Sequence, residues 1–362
     1  MAREERFSLW REDLLAGLAS LTLIAGLFLD GWNHINLQNG ALGGFFTPWH
    51  GLLYLGFTLA AAWVLTRNPH LYRRDVDAKT TMHPLLGTRL RYPLAVAGLI
   101  IANVGLLGDV GWHTAFGEES GVARVIAPFH LVLFVGAALL ISAPLRSGWH
   151  APDVYPENGS LGQLLPPLIS LTLLTALVAF MFQWLSAFVD WTPALRFDRV
   201  PPALAADPSV AGTVEYSEVA RILVTNFIFL APILMALRRW RLPFGSVTLV
   251  WTVVAAGLQS LSEFQTWATV IAAFVGGLAA DICLTLTNRS GRSTLGCRLL
   301  GGFGPLALWG AYFLALGVVH HDAWPGDLYL GTMCVAAMTG LALSFVAEPI
   351  ADPASPRSAA RR

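Results

Sequence analysis

The chain has 362 residues, of which 55% are hydrophobic and 13% charged, with 23 basic residues balancing 23 acidic ones. A soluble domain carries about 25% charged residues. This composition therefore excludes a soluble enzyme, a disordered chain and a nucleic-acid binder with a basic face, and zero net charge implies no strongly electrostatic partner.

Ten apolar segments follow one another, near residues 11–31, 47–66, 92–112, 125–145, 163–189, 217–237, 243–262, 264–287, 298–318 and 327–347. Each is long enough to cross a hydrocarbon core of about 30 Å at about 1.5 Å per residue. Without water to satisfy backbone groups, helices are the economical spanning structure, and the short alternating segments of a β-barrel are absent. The predicted fold is all-α: a polytopic membrane bundle of about ten helices built from hairpins. Residues 1–145 supply four of them and residues 146–362 about six more. The first apolar run is too long for a cleavable signal peptide and has no small-residue cleavage site, so it is expected to stay as the first span.

Basic residues orient the bundle. With a cytoplasmic N-terminus, Arg124, Arg196, Arg199 and Arg221 fall on the outer side, and the other 19 of the 23 basic residues fall inside. That asymmetry predicts an integral, multi-pass plasma-membrane protein with both termini cytoplasmic. The partners it implies are the lipid bilayer, with room for partner membrane subunits, and no nucleic acid.

In this topology a repeat emerges on the outer side. The first span ends Asp30-Gly31-Trp32-Asn33-His34, and the second begins Thr47-Pro48-Trp49-His50. The third ends Asp109-Val110-Gly111-Trp112-His113, and the fourth begins Ala127-Pro128-Phe129-His130. The pattern Asp-x3-His, loop, Pro-aromatic-His thus occurs twice, once per hairpin. Residues i and i+4 share a helix face, and Pro48 and Pro128 suit a first helical turn. Each hairpin can then offer one carboxylate and two imidazoles, a ligand set for copper, zinc or non-haem iron. Random placement of the Asp and His residues would give about 0.3 Asp-x3-His pairs. The predicted metal ligands are Asp30, His34, His50, Asp109, His113 and His130. Either each hairpin builds its own site or both share one.

The pattern carried by these six residues is similar to the copper site in the C subunit of the membrane copper monooxygenases (particulate methane and ammonia monooxygenase). That subunit also carries a related Asn-x3-His…His site on later helices. The resemblance covers roughly residues 11–145 and implies copper as cofactor and a monooxygenase-like activity. This chain departs from the family in its slightly longer loops, in Asp109 where the family has Asn, and in about six further helices.

Other polar residues stand at span ends. His320-His321-Asp322 could add a ligand or an access point for metal, or simply form a polar loop. Glu263, Asp190 and Glu218 could act behind a site or cap helices. Gln183 and Gln259 suit interhelical hydrogen bonding, and Asp281, near an inner helix end, suits snorkelling or capping. Tryptophans near span ends, Trp32, Trp49 and Trp112 among them, fit an interfacial belt. Gly276-Gly277 and Gly301-Gly302 suit close helix approach. Cys283, Cys297 and Cys334 lack pairing logic and are expected to be small buried residues. No nucleotide or hydrolase motif is present.

The function these features favour is a copper-dependent membrane oxidoreductase, or a subunit of one. A metal transporter or delivery protein is the alternative, with few mid-span polar residues to line its path. A bis-His haem electron carrier leaves the repeated aspartates without a role. A purely structural polar rim is the remaining reading.

Overall fold

The computed structural model describes residues 3–37, 47–71, 90–117, 121–189, 208–289, 293–320, 324 and 326–347. Among them are twelve α-helices: α1 Arg3–Asn36, α2 Pro48–Arg67, α3 Pro93–Phe116, α4 Val122–Ile126, α5 Pro128–Ile141, α6 Ala143–His150, α7 Leu161–Met181, α8 Pro208–Ala236, α9 Ser246–Leu261, α10 Ala268–Arg289, α11 Ser293–His320 and α12 Gly326–Val346. The protein is an all-α, polytopic bundle. Among the described residues, nine helical stretches are long and apolar enough to cross a membrane, with α5 and α6 counting as one stretch, Pro128–His150.

The expected span at 243–262 is shorter than the rest. It is α9, a helix of 16 residues, about 24 Å at the usual rise. Both of its ends are defined by specific contacts. Gly245 adopts a left-handed φ of 93° before the first turn. Asp281 of α10 then accepts from the backbone N–H groups of Val247 (3.1 Å) and Thr248 (2.9 Å) and from the Thr248 hydroxyl (2.7 Å). A carboxylate so placed satisfies orphan N–H groups and favours the positive end of the helix dipole. Asp281 is thus a cap, but for the neighbouring helix. At the other end Gln259 donates to the carbonyl of Phe188 and to Thr266 Oγ1 (2.6 Å) and accepts from the Thr266 N–H (3.2 Å).

The chain divides into two compact units, one comprising residues 1–154 and 165–177 and the other residues 155–164 and 178–362. The first holds α1 to α6 and the middle of α7. In it α1 pairs with α2, and α3 pairs with α5, as two hairpins. A methyl group on Gly26 would lie 2.4 Å from Leu53 N, and one on Gly56 would lie 2.3 Å from Leu23 N. In the second hairpin the corresponding residues are Gly105, 2.9 Å from Leu133 N, and Gly136, 2.6 Å from Ala102 N. Only glycine lets backbones approach this closely, the small-residue packing typical of membrane helices.

The end of the first hairpin remote from the repeated motif is fastened by polar groups. Trp63 Nε1 donates to the carbonyl of Glu12 (3.0 Å), whose carboxylate meets Arg91 at 3.0 Å and Arg67 at 3.5 Å. The Tyr92 hydroxyl donates to Asp13 Oδ1 at 2.9 Å. Burial, and then the adjacent Asp13 carboxylate, push the Tyr92 phenol well above its ordinary pKa, so it stays a donor.

The second unit is knitted by buried aromatics with satisfied polar tips. Trp251 donates to the Phe229 carbonyl (2.9 Å), Trp309 to Asn226 Oδ1 (3.2 Å) and Tyr312 to the Ala187 carbonyl (2.6 Å). A Cβ on Gly276, Gly277 or Gly301 would press on a neighbouring backbone at 2.7, 2.6 or 2.6 Å, whereas Gly302 faces open space. Of the cysteines Cys297 is buried and Cys283 half-buried. Cys334 is exposed, contrary to the expectation of burial, because it lies off the side of α12 that buries Thr332, Ala336, Gly340 and Ser344.

Candidate metal centre

Each hairpin of the first unit gathers its three motif residues at one end. In the first, Asp30 and His34 stand one turn apart near the C-terminus of α1, and His50 comes from the first turn of α2. Thr47 starts that turn: its hydroxyl accepts from His50 N (3.2 Å), and Pro48 occupies the first helical position. His34 Nε2 lies 3.6 Å from Asp30 Oδ2, and His50 Nε2 lies 3.5 Å from Asp30 Oδ1.

In the second hairpin, Asp109 and His113 lie near the C-terminus of α3, and His130 lies in the first turn of α5. Here both imidazoles address the same oxygen. His113 Nε2 is 3.3 Å and His130 Nε2 3.2 Å from Asp109 Oδ1. In each triad one ligand atom per residue can be chosen so that all three lie within 4.8 Å of one another, so each group could hold a metal ion. The two triads are separate groups rather than one shared set.

The surroundings repeat as well. Trp32 meets Trp49 edge-on with ring centroids 5.5 Å apart, and Trp112 meets Phe129 in the same manner at 6.1 Å. The paired imidazoles stand 5.9 Å and 5.8 Å apart. The glycines of the helix crossings fall in register with the ligands: Gly26 and Gly105 are four residues before the aspartates, and Gly56 and Gly136 are six residues after the second histidines. The full repeat is therefore Gly-Leu-x2-Asp-x3-His, then Pro-aromatic-His-x2-Leu-x2-Gly. The close crossing brings the last turn of one helix against the first turn of the next, and so brings three ligands to one centre.

The donor chemistry suits a group that could hold a cation. His113 Nδ1 contacts the carbonyl of Gly117 at 3.1 Å, and His130 Nδ1 contacts the carbonyl of Arg124. A carbonyl only accepts, so both Nδ1 atoms carry the hydrogen, and each neutral imidazole presents the Nε2 lone pair. Those lone pairs face Asp109 Oδ1, a buried oxygen that accepts no hydrogen bond from the described residues. Three electron-rich atoms converging on one point call for a positive charge between them, either protons on the imidazoles or a metal ion. Ligands at about 2.0–2.1 Å from a tetrahedral ion stand about 3.3 Å apart, close to the spacing around Asp109. Orienting the ligand through its second nitrogen is also the usual arrangement behind metal-bound histidine. Around Asp30 the same elements are looser. His50 Nδ1 meets the Thr47 hydroxyl at 2.8 Å, and Asp30 Oδ1 is likewise buried without a hydrogen bond from the described residues.

Among residues outside the two triads, Glu263 is exposed in the turn after α9, where it and Phe264 have positive φ values of 55° and 56°. Glu218 is buried in α8 of the second unit. Asp190, His321 and the side chain of His320 lie outside the described residues. Thr47, Tyr54, the Gly117 carbonyl and Arg124 are additional neighbours of the triads. The cap at Thr47 and the i+4 spacing of Tyr54 from His50 are visible in the sequence. The carbonyl contacts depend on loop conformation and leave no residue-type signal.

Comparison with protein-family models, with curated proteins and with solved structures finds no match. The chain is a multi-pass helical membrane protein with two Asp-His-His groups that could bind metal.

Proposed function

We propose that this protein is a membrane metalloprotein that holds one ion in each triad and acts as a copper-dependent oxidoreductase of monooxygenase type, alone or as a subunit. The observation that carries the metal reading is the pair of Nε2 lone pairs converging on Asp109 Oδ1, which accepts no hydrogen bond from the described residues, repeated more loosely around Asp30. Copper is favoured by the nitrogen-rich donor set and by the resemblance of Asp-x3-His…His to the copper site of the membrane copper monooxygenase C subunit. The arginine asymmetry supports a position for both triads at the outer membrane face.

Bound copper would supply redox chemistry at an open coordination position, since each triad contributes only three ligands. The chain's own residues do the rest. Asp30 and Asp109 each offset one positive charge of a divalent ion. Thr47 and the carbonyls of Gly117 and Arg124 set which imidazole nitrogen faces the centre. The Trp32–Trp49 and Trp112–Phe129 pairs flank the sites with apolar surface, which limits water and suits a substrate arriving from the bilayer.

The test is metal analysis of detergent-purified protein, before and after reconstitution with copper, zinc and iron separately, with an EPR spectrum of the copper-loaded form. The proposal predicts two copper ions per chain and nitrogen hyperfine splitting from imidazole. Preferential retention of zinc or iron would keep the sites and discard copper. Failure to retain any of the three ions would overturn the metal reading.

A further inference from the structure

Between the two triads runs a contact that the repeat does not account for. Arg124 belongs to α4, the short helix between the two ligand-bearing helices of the second hairpin. Its carbonyl accepts from His130 Nδ1 of the second triad. Its guanidinium Nη1 donates to the carbonyl of His34, in the first triad, at 3.5 Å. One residue thus touches a histidine of each triad, from opposite ends of its own structure.

Both contacts have a physical reason. His34 is in the last turn of α1, where a side-chain donor such as the Arg124 guanidinium can reach a helix-end carbonyl. His130 stands in the first turn of α5, and without a partner for Nδ1 its ring could turn or change tautomer. The first hairpin answers the same need with Thr47, whose hydroxyl meets His50 Nδ1 at 2.8 Å. The second has Ala127 at that position and reaches back to Arg124 instead. The first triad has a further aromatic neighbour in Tyr54, stacked on His50 with ring centroids 5.7 Å apart.

From this geometry we infer that Arg124 is a positioning residue for both triads at once, tying the orientation of His130 to the placement of His34 and so coupling ion binding at the two sites. The inference rests on the metal reading above. It has a definite direction. The α4 turn is fixed by His130, and the guanidinium is fixed by that turn, so loosening His130 loosens His34 and weakens the first triad. Direct repulsion between two bound ions would act with the opposite sign, because emptying the second triad would then strengthen the first.

The experiment is a double-mutant cycle on the full chain in detergent. Cobalt(II) is the probe, because its visible absorption reports ligand geometry without turnover. Affinity of the first triad is followed in the wild type, Arg124→Ala, His130→Ala and the double variant. Arg124→Ala keeps the carbonyl that holds His130 and all six ligands, and removes the guanidinium that reaches the His34 carbonyl. Each single variant is expected to weaken cobalt at the first triad about fivefold or more, with the double variant no weaker than the singles. Arg124→Lys retains a donor for the His34 carbonyl and is expected to recover part of the loss and the wild-type spectrum. Unchanged or strengthened binding in the single variants, or additive losses in the double variant, would overturn the coupling while leaving the metal sites standing. No cobalt bound to the wild type would instead sink the metal reading itself.

Discussion

The two hairpins of the first unit are built on one plan and differ at a few positions, and the differences separate what makes a triad from what tunes it. Within each helix, ligands, prolines and crossing glycines stand at the same spacings in both, while the second hairpin's loop is one residue longer. The first hairpin has Thr47 as a cap and Tyr54 stacked on His50, where the second has Ala127 and the buried Phe134. The second hairpin compensates with backbone carbonyls, which fix its tautomers more firmly than a hydroxyl that can donate or accept. Its ligand atoms are correspondingly closer, at 3.2 and 3.3 Å against 3.5 and 3.6 Å. The helix crossing assembles the ligands; the groups behind the histidines set their aim.

The comparison breaks most severely if either aspartate is removed. Asp109→Ala and Asp30→Ala should each abolish one bound ion and leave the other, as counted by metal analysis. The remaining two imidazoles lack the charge that offsets the ion. Loss of both ions in either single variant would show that the sites are not separate.

A large effect is also expected at the crossings. Gly26→Val forces a side chain into the Leu53 backbone, and Gly105→Val does the same at Leu133 with slightly more room. Overpacking of this kind costs about 1–3 kcal/mol. Gly26→Val should lower the thermal midpoint in detergent more than Gly105→Val, and each should impair metal retention mainly in its own hairpin.

A smaller difference should appear in filling order. The closer, tautomer-fixed triad around Asp109 is expected to bind cobalt about tenfold more tightly, which a titration of Asp30→Ala against Asp109→Ala would read. Equal affinities would mean that the geometric difference has no energetic weight. Thr47→Ala should then weaken only the first triad, by about tenfold, the low end for losing a partner behind a histidine ligand. Thr47→Ser, which keeps the hydroxyl, should behave as wild type.

The smallest effect is expected away from the triads. Tyr92→Phe removes the donor to Asp13 and should cost about 1 kcal/mol of stability, with no change in metal content.

Much of this was legible in residues alone, for physical reasons. Membrane helices announce themselves by length and apolarity, so nine of the ten expected spans, with α5 continuing into α6 for one of them, appear near their predicted places as crossing-length helices. The i+4 spacing of Asp30 to His34 and of Asp109 to His113 places each pair on one face whatever the rest of the fold does. The exception at α9 is equally instructive. Hydropathy over 243–262 does not reveal that Gly245 and the distant Asp281 start the helix late. Long-range capping is a tertiary fact, as is the contact of His130 with the carbonyl of Arg124. The crossing glycines were in plain sight, but their register with the ligands becomes meaningful only when the opposing backbone is known. The exposure of Cys334 likewise depends on which side of α12 finds a partner.

The most direct test of the account is a metal count per chain for the wild type, Asp30→Ala, Asp109→Ala and the double variant, all reconstituted with copper in the same detergent. The account predicts two, one, one and no ions, with imidazole splitting retained in the EPR spectrum of each single variant. Wild-type protein with no bound copper, or a double variant that binds as much as the wild type, would contradict it.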